Sequence, residues 1–123
     1  MNILQASCYY GAEAILLYLR DLFDKDIDRK NELVSYKEPF GGNMAIHFAV
    51  LNGNFRIIDS LLKDFNASLL SLTDNGLSIL HCAAQFERGV YVLEQFSSPK
   101  YELAVEQRDK FDCTPLLFAV LSL

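Results

Sequence analysis

The residues of this chain that could act as acids, bases or nucleophiles are two histidines and three cysteines, most of them far apart. His81 directly precedes Cys82, which suggests a thiol nucleophile with a base beside it. Adjacent residues on one helix point about 100° apart, so they rarely meet. Such a pair also needs a third group to orient the base, and no Ser/His/Asp set is identifiable. We therefore expect Cys82 to pack in the core and predict no catalytic residue.

The sequence also lacks a complete motif for a cofactor or a metal. The acidic segment 24–28 resembles the start of a calcium loop, but that pattern needs a glycine where Arg29 stands and a glutamate where Ser35 stands. The chain has no phosphate-binding glycine loop and no Cys-x-x-Cys pair. We predict no cofactor and no metal.

Composition excludes further classes of function. The chain has 123 residues, of which 51% are hydrophobic, and its net charge is −5. An acidic balance argues against a nucleic-acid partner, which needs a basic face, and no polybasic run indicates a membrane surface. Segment 1–19 is apolar but carries Gln5 and Glu13 without a positive start, so we expect neither a signal peptide nor a membrane span. An odd number of cysteines favours a reducing, cytoplasmic compartment.

Four segments of the chain repeat one pattern, an apolar residue followed three positions later by a small one. The apolar slot holds Leu4, Ile46, Leu80 and Leu116, and the small slot holds Ser7, Ala49, Ala83 and Ala119. Self-similarity at this spacing is typical of stacked-repeat proteins.

The second copy shows what one unit looks like. Residues 42–50 predict a turn followed by a short helix, and Gly53 suits the left-handed end of that helix. A second helix follows over 55–65, with apolar residues at 57, 58, 61 and 62 on one face. The unit is therefore a helix–turn–helix.

The second copy resembles the ankyrin repeat in the order Gly42, Ile46-His47, Ala49, Gly53, Ile57 and Leu61-Leu62. The third repeats it over Asp74-Asn75-Gly76 and 77–84, and the fourth keeps Asp109 and Thr114-Pro115-Leu116. The first copy keeps Leu4, Gly11, Ile15 and Leu19. The resemblance implies an all-α fold, an α-solenoid of stacked helix–turn–helix repeats with short hairpin loops. It also implies that His47 and His81, in one repeat slot, bond to the backbone of a neighbouring turn.

We place one domain over 1–123, with repeats near 1–38, 39–73, 74–108 and a partial one at 109–123. Asp112 departs from the pattern, since it replaces the turn glycine of the fourth copy. The charge-rich segment Asp21–Glu38 is predicted to be a mobile or inserted loop. Because the apolar stretch 116–121 lacks a polar cap, we expect further repeats or another chain to cover it, and the chain to be part of a longer protein.

The resemblance implies a non-catalytic module or scaffold that binds a protein partner through its hairpin tips and concave helix face. The hairpin candidates are Phe40, Asn43, Asn75, Leu77, Phe111 and Cys113, and the helix-face candidates are Tyr9, Tyr10, Leu51, Asn52, Gln85 and Phe86. Cys113, in a hairpin, is expected to be exposed. The alternative is the ankyrin region of a larger membrane protein, because 76–85 is similar to a stretch in membrane-bound palmitoyltransferases, and ankyrin-bearing cation channels are another possible host.

Overall fold

The structure is a computed structural model that describes residues 1–84 and 106–115. Within these residues the chain forms six α-helices and no strand. The helices are α1 (Ile3–Tyr9), α2 (Glu13–Leu22), α3 (Ile27–Ser35), α4 (Ala45–Asn52), α5 (Phe55–Asp64) and α6 (Ile79–Ala84). The all-α prediction is confirmed.

Two helix pairs, α1 with α2 and α4 with α5, follow from a left-handed glycine placed between the helices. Gly11 has φ +71° and Gly53 has φ +78°, a backbone conformation that other residues adopt only with strain. Each glycine ends one helix and lets the chain turn directly into the next. The pairs stack in sequence order, because α1 packs on α4, α2 on α5, and α4 on α6.

The repeated apolar and small slots build the core between the stacked helices. Leu4, Ile46 and Leu80 are almost completely buried in one cluster. The small residues that follow them, including Ala49 and Ala83, are buried too, which lets the first helices approach closely. The face predicted for α5 is also confirmed, as its core side holds Ile57, Ile58 and Leu61. The residues that recur in the sequence are therefore the residues that form the core.

The loop predicted over Asp21–Glu38 is wrong, because α3 occupies its centre. Asp26 caps this helix by accepting the Arg29 N–H at 3.0 Å. Leu33 and Val34 are buried, and α3 packs on α1 and α4. With so few buried apolar residues among many charges, the helical period of α3 is too weak to see in the sequence.

Candidate protein-binding surface

Three hairpins lie side by side within the described residues, and each is closed by a side chain at its start. Glu38 accepts the N–H groups of Phe40 at 2.6 Å and Asn43 at 3.2 Å. Thr73 accepts the Leu77 N–H at 3.1 Å. Asp109 accepts the N–H groups of Phe111 at 2.8 Å and Cys113 at 2.9 Å. One polar side chain at its start therefore fixes the path of each hairpin.

These bonds also affect the acidity of Glu38. Burial pushes the pKa of its carboxyl up, but the bonds from Phe40 and Asn43 outweigh burial and lower the pKa below its usual value. The charged carboxylate is thus the form that holds the hairpin together. Its contribution to stability is present at neutral pH and declines as pH falls through the lowered pKa.

Backbone hydrogen bonds tie the three hairpins into one row. The Asp74 N–H donates to the Gly41 carbonyl at 2.9 Å, and the Lys110 N–H donates to the Asn75 carbonyl at 3.2 Å. The two bonds join equivalent positions of successive repeats. We call residues 38–43, 73–77 and 109–113 the hairpin row.

Buried histidines join the helices to this row. His81 accepts the Ser78 N–H at Nδ1 (3.3 Å) and directs Nε2 at the Cys113 carbonyl, 2.6 Å away. His47 accepts the Met44 N–H at 3.0 Å and faces the Ser71 carbonyl at 3.2 Å. Since a carbonyl can only accept, Nε2 carries the proton in both rings. The structural role implied for both histidines fits this geometry.

Gln5 occupies the same slot in the first repeat, 42 residues before His47, and sequence reasoning missed it. Its Oε1 accepts the Asn2 N–H at 3.1 Å, as Nδ1 does in the histidines. Its Nε2 donates to the carbonyls of Tyr36 at 2.8 Å and Asn43 at 3.1 Å. The repeat register carried the signal, because a glutamine offers the same acceptor and donor as a neutral histidine.

Burial keeps three titratable groups of the interior, His47, Cys8 and Cys82, in their neutral forms at pH 7. Burial lowers the pKa of His47 to about 4, although the Ser71 carbonyl acts in the opposite direction. Burial raises the pKa of the Cys82 thiol to about 11 and that of Cys8 to about 12. A buried thiol with such a pKa is not a thiolate at neutral pH, so a nucleophilic role for Cys82 finds no support.

Asp112 adopts the left-handed conformation of the glycine that it replaces. Its φ is +64°, beside +72° for Gly42 and +75° for Gly76 at the equivalent positions. We expect Asp112→Gly to raise the free energy of unfolding by up to about 1 kcal/mol, since glycine removes the steric cost of a Cβ here. Chemical denaturation would measure this change. Lower stability in the variant would show that the exposed Arg108–Asp112 ion pair outweighs the backbone strain.

Four predicted binding residues present aromatic rings at the surface. Phe40 is 95% exposed and Phe111 75% exposed, at opposite ends of the hairpin row. Tyr10 is 75% exposed at the end of α1, and Tyr9 packs edge-on against it with ring centroids 4.9 Å apart. Tyr9 also lies edge-on to Phe48 at 6.0 Å. Asn75, between the two phenylalanines along the row, is exposed as well.

The other described candidates are partly engaged within the fold. Leu51 and Leu77 are half-buried and pack against the core. The Asn43 side chain donates to Glu38 at 2.9 Å, and the Asn52 side chain donates to the Tyr9 carbonyl at 3.2 Å. Gln85 and Phe86 lie outside the described residues, as does the C-terminal stretch 116–121.

The prediction that Cys113 is exposed is wrong. Only 8% of the residue is accessible. Its N–H bonds to Asp109, its carbonyl faces His81, and its sulfur lies 3.7 Å from the Phe111 carbonyl. A residue in a hairpin is expected to be exposed, but these bonds hold Cys113 against the interior of the protein.

Stacked helix pairs with a tied row of hairpins define a repeat solenoid. Residues 41–71 match the family model described as "Ankyrin repeat". None of the curated proteins matches the chain. The expectation of an ankyrin-repeat protein is thus confirmed: the chain contains an ankyrin repeat and has the ankyrin-repeat fold.

Solved structures with this fold include the ankyrin repeat domain of Bcl-3, described as a unique member of the IkappaB protein family. It superposes with a TM-score of 0.72 at 15% identity over 96% of this chain, which spans 46% of the Bcl-3 chain. A second is yeast Yar1, a chaperone solved in complex with the ribosomal protein Rps3. Its TM-score is also 0.72, at 22% identity, over 97% of this chain and 81% of that one.

Proposed function

We propose that this chain is a non-catalytic protein-binding module or scaffold whose partner contacts the hairpin row and the adjoining ends of the first helices. Ankyrin repeats are in general protein–protein interaction modules, and Yar1 is solved with a protein partner. The observation that carries the proposal is the exposure of Phe40 and Phe111 on hairpins whose backbones are fixed.

A fixed backbone favours binding because it lowers the entropy lost on association. The hairpins are held by side-chain caps and by the bonds between Asp74 and Gly41 and between Lys110 and Asn75. An aromatic ring on such a hairpin has few angles left to order, and it offers a large contact area. Interface residues with the largest binding energy are enriched in such aromatic side chains.

Charge along the row supports a polar rim around these aromatic contacts. Asp74 and Lys110, at equivalent positions of successive hairpins, are both exposed. A partner would then meet the acidic Asp74 on the middle hairpin and the basic Lys110 next to Phe111. Such charges at a rim select partners and speed association more than they add affinity.

The same proposal places the chain in the cytoplasm. In support, Cys8, Cys82 and Cys113 are all buried and unpaired with one another. A reducing compartment keeps such thiols free. Apart from the question of compartment, no helix among the described residues is both long and apolar enough to cross a membrane.

The proposal is tested by removing the two rings together. With Phe40→Ala and Phe111→Ala in one chain, we expect recovery of the bound partner from the source cells to fall by at least about tenfold, because contact area at two points is lost. Quantitative affinity purification measures the recovery, and the melting temperature should stay within a few degrees, as both side chains are exposed.

Leu70→Ala is the matched control, since Leu70 is a partly exposed apolar residue outside the hairpin row. It should leave recovery unchanged. Equal recovery by the wild type, the double variant and the control would contradict the proposal. A separate Tyr10→Ala variant shows whether the end of α1 belongs to the same surface.

The alternative host, a palmitoyltransferase-like enzyme or a cation channel, depends on sequence resemblance alone. In that case this chain would be the regulatory or substrate-recruiting region of a larger protein. Reading the gene beyond Leu123 for membrane spans and an Asp-His-His-Cys motif tests it.

A further inference from the structure

The first helix pair exposes a set of apolar side chains that belongs neither to the core nor to the hairpin row. We call Met1, Ile3, Ile15, Tyr18 and Leu22 the end face, and each is 46 to 63% exposed. Three of them follow one another along α2 at three- and four-residue spacing, so they line one stripe of that helix.

The end face points away from the second helix pair. On the other side of α2, Arg20 pairs with Asp64 at 3.6 Å and Glu13 accepts a bond from Asn54. The repeat register agrees. Ala45 and Ile57, 42 residues after Ile3 and Ile15, are 0% and 1% exposed in the stack. The end face of the first pair is thus equivalent to the surface of the second pair that is buried in the stack.

The end face is built differently from the surface between stacked pairs. Where the second pair has Ala45, Ser60 and Asp64, the end face has Ile3, Tyr18 and Leu22 in the equivalent positions. A solvated cap would be polar here. These residues instead have the composition of an interface core.

We propose that the end face is the interface of a two-fold symmetric dimer of this chain. None of its five residues is charged, whereas the whole chain has a net charge of −5. Asp21, next to Leu22 in α2, is exposed and pairs with Arg20 at 3.1 Å, so the acidic side chain that adjoins the face is compensated. An apolar face is complementary to its own copy, as a two-fold interface requires.

The exposed area lies at the lower limit for a specific interface, which fits a weak dimer that forms as concentration rises. Given their exposed fractions, the five residues offer on the order of 600 Å² per copy. A standard interface buries about 800 Å² per partner. Two copies therefore have enough apolar surface to associate measurably.

Analytical ultracentrifugation of the full chain over a range of concentrations tests the dimer. The wild type should change from monomer to dimer as concentration rises. With Tyr18→Glu and Leu22→Glu together, the dissociation constant should rise by at least about tenfold, because like charges then face each other. Leu70→Glu is the control, a similar change at an apolar residue outside the end face, and it should dimerise like the wild type.

Two further variants keep the outcome decisive. A chain with Tyr18→Lys and Leu22→Lys, mixed with the double glutamate chain, should restore association through opposite charges. Tyr18→Ser with Leu22→Asp introduces the residues that the second pair tolerates at these positions, and it should also be monomeric while folded by circular dichroism. A monomeric wild type at all concentrations, or a double glutamate chain that dimerises like the control, would overturn the proposal. Neither result bears on the Phe40 and Phe111 test, which uses a different surface.

Discussion

Gly76→Ala should be among the most destabilising single substitutions in the hairpin row, lowering the free energy of unfolding by about 2–4 kcal/mol. Gly76 has φ +75°, so any Cβ is strained there. The added atom would also lie 2.9 Å from the backbone nitrogen of Lys110 and 3.4 Å from the Asp109 carbonyl carbon. Backbone atoms of the next hairpin cannot rotate away as a flexible side chain could. The bond between Lys110 and Asn75 should therefore weaken as well.

Gly41→Ala is the matched control within the same row. Gly41 does not have a positive φ, and its added Cβ would lie 3.3 Å from the side chains of Asn43 and Glu38, which can move. We expect a loss of less than about 1 kcal/mol. Urea denaturation of both variants measures the difference. If Gly76→Ala cost no more than Gly41→Ala, the hairpins would not be packed as tightly as the structure shows.

His47 should make the stability of the chain depend on pH. Its pKa is about 4 in the folded protein and 6.5 without the fold, so the unfolded chain binds a proton first as pH falls. The contribution of neutral His47 is complete above pH 6.5 and is lost as pH falls towards about 4. A difference of this size corresponds to about 3 kcal/mol.

His47→Gln isolates this effect, because Gln5 shows that a glutamine can make both bonds of the slot. Above pH 6.5 the variant should be within about 1.5 kcal/mol of the wild type. As pH falls from 6.5 towards 4, the free energy of unfolding of the wild type should drop by about 3 kcal/mol more than that of His47→Gln. His47→Leu, by contrast, leaves the Met44 N–H and the Ser71 carbonyl without this partner and should cost about 2–5 kcal/mol even above pH 6.5.

Parallel pH profiles for the wild type and His47→Gln, measured by denaturation, would disprove the titration of His47. That comparison also separates His47 from Glu38, whose lowered pKa acts equally in both chains.

Much of the hairpin row was predictable because its residues recur in register. Asp109 and the turn glycines Gly42 and Gly76 recur in register, and Phe40 and Phe111 stand where the repeat imposes no residue type. The capping bonds of Glu38 and Thr73 appear only in the structure. Cys113 was placed incorrectly for a related reason. Its burial depends on bonds to Asp109 and His81, and the repeat pattern does not show which way a hairpin side chain turns.

The sequence by itself determined the repeat, the helix pairs and the core slots of this protein. These depend on local spacing, since apolar and small residues at helical intervals and a glycine between helices act over a few positions. Helix α3 was not predicted from the sequence, because two apolar residues, Leu33 and Val34, give a weak helical pattern among many charged residues.

Tertiary structure alone decided how the repeats meet. The bonds between hairpins, the long-range bonds of Gln5 to Tyr36 and Asn43, and the lowered pKa of His47 each join groups that lie more than twenty residues apart or depend on burial between repeats. The open end face is a further case. Ile15 and Ile57 are the same residue type in the same repeat slot, yet Ile15 is 46% exposed and Ile57 is 1% exposed, because α2 packs against α5 on the side of Ile57.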